Sequence, residues 1–93
     1  MRRNARNAFK ALTKIGAPVI ESKGDWREEF ILSAENNDTT VWADYYHEML
    51  KEAVVDDKII HAFGINQKVH DILTKHGLMT EWIDPGTIGI YQN

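Results

Sequence analysis

Four histidines, His47, His61, His70 and His76, and fourteen carboxylates are the groups in this 93-residue chain that could hold a metal or move a proton. Two imidazoles reach one metal from a single helix when they stand four residues apart. His70 and His76 are six apart and point away from each other on an ideal helix, so the spacing predicts no metal site. A tertiary site would have to pair one histidine with Asp44, Asp56 or Asp57. The run Asp44-Tyr45-Tyr46-His47-Glu48 supplies acid, phenol and imidazole groups usable in proton transfer. On a helix, Asp44, His47 and Glu48 would share a convex, solvated face, and no nucleophile with an adjacent base accompanies them. There is no cysteine, which removes thiol catalysis, thiolate ligands and disulfides together. No glycine-rich phosphate loop is present. These residues predict a non-enzymatic protein with no cofactor and no metal.

The chemistry that stands out is ionic. Arg2, Arg3, Arg6, Lys10 and Lys14 precede the first acid, so residues 1–14 carry +5. Residues 15–93 hold the six other cations and all fourteen acids, −8, and the two parts sum to the net charge of −3. Cations free of acids could contact phosphates, which supply most sequence-independent affinity for nucleic acid. Yet the pI is near 5.7, and the acidic remainder should repel a polyanion. The favoured expectation is that this segment docks on its own domain and offsets its acids, or meets an acidic protein partner. Nucleic-acid binding is the alternative. Glu28-Glu29 and Asp56-Asp57 read as solvated pairs, too sparse for a nucleic-acid mimic.

The elements that must position these groups follow from periodicity. Ala5, Ala8, Phe9, Leu12 and Ile15 recur at spacings of three and four and line one face of a first helix. Asn4 or Asn7 is placed to cap its start, and Gly16, followed by Pro18, ends it. Arg3, Arg6, Lys10 and Lys14 fall on the opposite face. Residues 17–22 read as a short strand, and 26–35 as a longer one with Trp26, Phe30, Leu32 and Ala34 on one side. From Thr39, paired apolar residues every four predict a helix over 39–54, capped by Asp38. A strand to about Tyr46 followed by a short helix is the alternative. Asp56-Asp57-Lys58 breaks the pattern and begins a connection through Ile59 to Phe63. Asn66 then caps a helix with Val69, Ile72 and Leu73 buried, ended by Gly77 with Leu78 packing back. Residues 78–83 and 87–92 are strands joined by the turn Asp84-Pro85-Gly86, and Gly89 suggests a bulge or a close backbone approach. The result is α+β: a small antiparallel sheet built from hairpins, packed against two or three helices.

An internal echo links two helix ends. Ala11-Leu12-Thr13-Lys14-Ile15-Gly16 and Ile72-Leu73-Thr74-Lys75-His76-Gly77 agree at four of six places. A duplicated helix–hairpin unit would produce it. So would the general pairing of a basic last turn with a terminal glycine, which is the favoured cause.

Ninety-three residues, 43% of them hydrophobic, suffice for one domain spanning 1–93 and one core. A chain this short buries roughly 60–65% of its unfolded surface, so self-association as a homodimer would help its stability. No apolar run reaches the roughly 18 residues of a membrane span, and the basic start lacks a signal-peptide core; both point to the cytoplasm. The segments Lys14-Ile15-Gly16-Ala17-Pro18-Val19, Phe63-Gly64-Ile65-Asn66, Lys75-His76-Gly77-Leu78 and Glu81-Trp82-Ile83-Asp84-Pro85-Gly86 resemble small uncharacterised proteins of tailed bacteriophages. The resemblance implies an accessory protein acting in the bacterial host cytoplasm on a host or phage protein, or a minor virion component. It transfers no functional residue.

Overall fold

Helix α1, Arg3–Lys14, forms where the apolar spacing predicts it and buries Ala5, Ala8 and Leu12 completely. The computed structural model describes residues 1–23, 27–36, 40–46 and 64–93. Neither Asn4 nor Asn7 caps the helix. Arg2 is the N-cap, with an extended backbone and no side-chain bond. Asn4 turns instead towards the far end of the chain, donating from Nδ2 to the carbonyl of His76 (2.9 Å) and to Gln92 Oε1 (2.8 Å). At the other end Gly16 takes a φ of 89°, the Gly16 N–H donates to the Thr13 carbonyl and the Ala17 N–H to that of Leu12, both at 3.0 Å. That double bond pattern satisfies carbonyls the helix leaves open, and the left-handed residue it needs is a glycine.

Strands β1 (Val19–Glu21) and β2 (Phe30–Ser33) then form an antiparallel hairpin. Trp26 lies outside the described residues, and the expected strand over 26–35 is shorter, but Phe30 and Leu32 are buried on one side as parity predicts. Helix α2, Gln67–Lys75, is capped by Asn66, whose Oδ1 accepts from the Lys68 N–H at 2.9 Å. It buries Val69 and Leu73 and ends on Gly77, φ 72°. Strands β3 (Leu78–Asp84) and β4 (Thr87–Gln92) form the second antiparallel hairpin, with the register shifting between Trp82 and Asp84. In its turn the Gly86 N–H donates to Asp84 Oδ1 at 2.8 Å, closing the loop that Asp-Pro-Gly announces.

The sheet order is β1-β2-β4-β3, with β2 and β4 antiparallel at the centre. Exchanging the two helix–hairpin units leaves that order unchanged. The exchange carries Leu12 onto Leu73, Lys14 onto Lys75 and Gly16 onto Gly77. By the hairpin registers, Val19–Leu32 against Thr80–Ile90, it also carries Leu32 onto Ile90 and Phe30 onto Ile88. Those four strand residues are fully buried and pair crosswise, Phe30 with Ile90 and Leu32 with Ile88. The echo in the sequence thus marks a duplicated topology with a pseudo-twofold passing near the Ile31–Gly89 pair. The helices lie antiparallel on one side of the sheet, the start of α1 bonded to the end of α2 through Asn4 and His76.

Residues 40–46 do not form the helix expected over 39–54; positions 39 and 47–54 lie outside the described residues. Ala43 makes an antiparallel bridge to Ile65, with Asp44 N–H to the Gly64 carbonyl and Asn66 N–H to the Trp42 carbonyl, both at 2.9 Å. Trp42 and Ala43 are buried whereas Tyr46 is 70% exposed, which is not the face that the four-residue repeat requires. The bonds of this segment go to the entrance of α2, a distant partner, rather than to the next turn.

Candidate functional site

The five cations of the N-terminal segment share one environment. Arg2, Arg3, Arg6, Lys10 and Lys14 are all exposed, because the apolar face of α1 is fixed against the sheet by Ala5, Ala8, Leu12 and an edge-on contact of Phe9 with Phe30 (5.2 Å between centroids). At 1.5 Å per residue the row from Arg3 to Lys14 runs about 16 Å along the helix. Helix α2 adds exposed Lys68 and Lys75 to the same layer, and Asp71 is the one acid in either helix. Among the described residues, none of Arg3, Arg6, Lys10, Lys14, Lys68 and Lys75 has a carboxylate within the 4.0 Å of an ion pair. The expectation that α1's cations offset the domain's own acids is therefore not met by contact; only the Arg2 backbone N–H reaches an acid, Glu29 Oε1, at 2.8 Å.

The described acids lie elsewhere. Glu21, Glu28, Glu29, Glu35, Glu81 and Asp84 belong to the sheet strands and the segments beside them, and Asp44 stands beside the entrance of α2, its N–H on the Gly64 carbonyl. Glu28 and Glu29 are not the solvated pair expected. Glu28 is only 7% exposed and accepts from Ser22 Oγ at 2.6 Å, a bond that compensates a carboxylate taken out of water. Burial raises the Tyr91 phenol above 10.0, and Glu28 and Glu81 raise it further. Asp56-Asp57 lies outside the described residues.

The other candidates separate. His47, His61 and Glu48 lie outside the described residues. His76 Nδ1 lies 2.8 Å from the Ile72 carbonyl, the helix-end bond of a last-turn imidazole. His70 borders a recess of about 230 Å³ between α2 and β3, with Leu73, Leu78 and Met79. Among the described residues no three metal-ligating groups converge. Asp44 Oδ1 accepts from the Tyr46 N–H at 3.0 Å, the geometry of a local turn. Tyr45 packs edge-on against both Tyr46 and Trp82, each at 5.2 Å.

Sequence reasoning placed the α1 row but missed Lys68 and Lys75 as part of the same surface. The echo that aligns Lys75 with Lys14 was the signal available for one of them. No family model, curated protein or solved structure matches the chain. No helix among the described residues is long and apolar enough to cross a membrane.

Proposed function

We propose that this is a non-enzymatic interaction protein that engages an anionic macromolecule through the basic layer of α1 and α2. The observation that supports it is charge segregation: six exposed cations and one acid on the helices, with the other described acids on and around the sheet except Asp44, which stands beside the entrance of α2. Lysine and arginine left unpaired over one face hold a positive local field even in a chain whose net charge is −3. An acidic protein partner, expected from the sequence, and nucleic acid, its alternative, both present the complementary surface. The setting would be the cytoplasm, that of a bacterial host if the phage resemblance holds.

Retention on immobilised heparin at about pH 7.5, above the pI near 5.7, tests this directly. The chain should be retained at low salt and released as salt rises. A variant with Arg3, Arg6, Lys10 and Lys14 all changed to Gln should pass unretained with its circular dichroism unchanged. Passage of the unaltered protein through the column at low salt sinks the reading.

A further inference from the structure

Resting on that basic layer as the binding face, we infer that its partner is the phosphate backbone of a nucleic-acid duplex, bound without regard to sequence. The distinction from an acidic protein lies in what the face lacks. Protein interfaces take most of their affinity from aromatic or aliphatic anchors buried at the centre of the patch. The exposed positions of α1 between Arg3 and Lys14 are Arg3, Arg6, Asn7, Lys10, Thr13 and Lys14, and those of α2 are polar or charged throughout. Exposed apolar side chains near α1, Met1 and Ile15, stand only at its two ends. Interfaces with nucleic acid are the polar, strongly cationic kind, and amide side chains such as Asn7 add donors for phosphate oxygens.

Three features narrow the ligand further. Single strands are held by stacking bases on exposed aromatic rings; the exposed positions of α1 and α2 carry none, and of the exposed tyrosines Tyr45 packs on Trp82 and Tyr46 on Tyr45. Reading bases requires one helix to enter a major groove about 12 Å wide, and one helix with its side chains already measures about 10–12 Å. Here α1 and α2 lie side by side, so the pair spans phosphates rather than entering. Among the described residues Glu29 reaches the basic segment only at the Arg2 backbone N–H, the sheet acids pair with none of the helix cations, and charges at physiological salt are screened over about 8 Å. The sheet acids leave the outer surface of the helices free to attract a polyanion.

Fluorescence anisotropy tests the inference, with labelled 20-base-pair DNA and RNA duplexes, a 20-nucleotide single strand and poly-glutamate as separate probes. Duplex should bind, with two unrelated sequences agreeing within about twofold, and binding of either the DNA or the RNA duplex supports the inference. For about four phosphate contacts, affinity should fall roughly 100-fold between 50 and 200 mM salt. Lys10→Gln should lower the slope of log affinity against log salt by about one, and the quadruple Gln variant should not bind. Retention on heparin without duplex binding at 50 mM salt would overturn the inference while leaving the basic-face reading intact. So would tighter binding of poly-glutamate or of the single strand, or a marked preference between the two sequences. Loss of heparin retention removes both.

Discussion

Asn4 and Gln92 exchange two hydrogen bonds across 88 residues of chain: Asn4 Nδ2 to Gln92 Oε1 at 2.8 Å and Gln92 Nε2 to Asn4 Oδ1 at 2.9 Å. Asn4 Nδ2 also reaches the His76 carbonyl at 2.9 Å. The side chain that local sequence suggests as a helix cap therefore ties α1 to the end of α2 and to the last residue of β4. With about 1 kcal/mol for each partly buried bond, Asn4→Ala, which removes all three, should cost about 3 kcal/mol and Gln92→Ala about 2, because Gln92→Ala leaves the bond to His76. Urea unfolding measures both. A greater loss from Gln92→Ala would contradict this arrangement.

Leu12 and Leu73 are the equivalent core positions of the two helix–hairpin units, at 0% and 2% exposure. Truncating either to Ala removes similar volume from opposite ends of one core, so each should cost about 2–5 kcal/mol. A loss under about 1 kcal/mol at either position, in the same urea assay, would show that the two units do not contribute comparable halves of the core.

Gly16 and Gly77 repeat the same symmetry in the backbone, at φ 89° and 72°. An added Cβ meets nothing closer than Trp42 Cζ2 at 3.9 Å or Asn4 Nδ2 at 4.0 Å, so the cost of Ala is conformational strain and not collision. Ala at either position should cost about 1 kcal/mol. Asn, which tolerates the left-handed region, should cost less than Ala at both sites; the reverse order would mean the positive φ is not what selects glycine.

Gly89 has a different reason to be glycine. A Cβ there would lie 2.7 Å from Tyr91 Cε2 and 2.8 Å from its Oη, so the tyrosine ring covers the glycine on the face away from the helices. Gly89→Ala should cost about 1–3 kcal/mol by forcing the ring outward. In the Tyr91→Ala background the same change should cost clearly less, and an additive double-mutant cycle would show that the ring is not what Gly89 accommodates.

Local signals carried most of the architecture. The spacing of Ala5, Ala8 and Leu12, the alternation of Phe30 and Leu32, the Asn66 cap and the Asp-Pro-Gly turn each depend on near neighbours, and each element formed where those neighbours placed it. What escaped depends on distant partners. The course of Trp42–Asp44 is set by Gly64, Ile65 and Asn66, so its four-residue apolar repeat was an unreliable guide to a helix. Glu28 reads as a surface acid beside Glu29 until Ser22 and the strand pairing enclose it. The basic row was legible because amphipathicity alone decides which side of α1 faces out. Its extension by Lys68 and Lys75 was not, because it requires α2 to lie alongside.

Tyr91 links the acidic side of the sheet to pH. Burial first, then Glu28 and Glu81, raise its phenol above the ordinary 10.0, so the folded state keeps its proton where the unfolded chain has begun to lose it. A raised folded value contributes stability that is complete below the unfolded pKa and is lost as pH climbs through the folded one. The alkaline fall of the unaltered protein alone does not isolate the phenol. Tyr91→Phe removes the proton and keeps the ring over Gly89. The urea midpoint of the variant should therefore fall less steeply between about pH 9.5 and about pH 11 than that of the unaltered protein, while the two run parallel from about pH 7 to about pH 9. Equal alkaline slopes would mean that the three groups are not held together in the folded state.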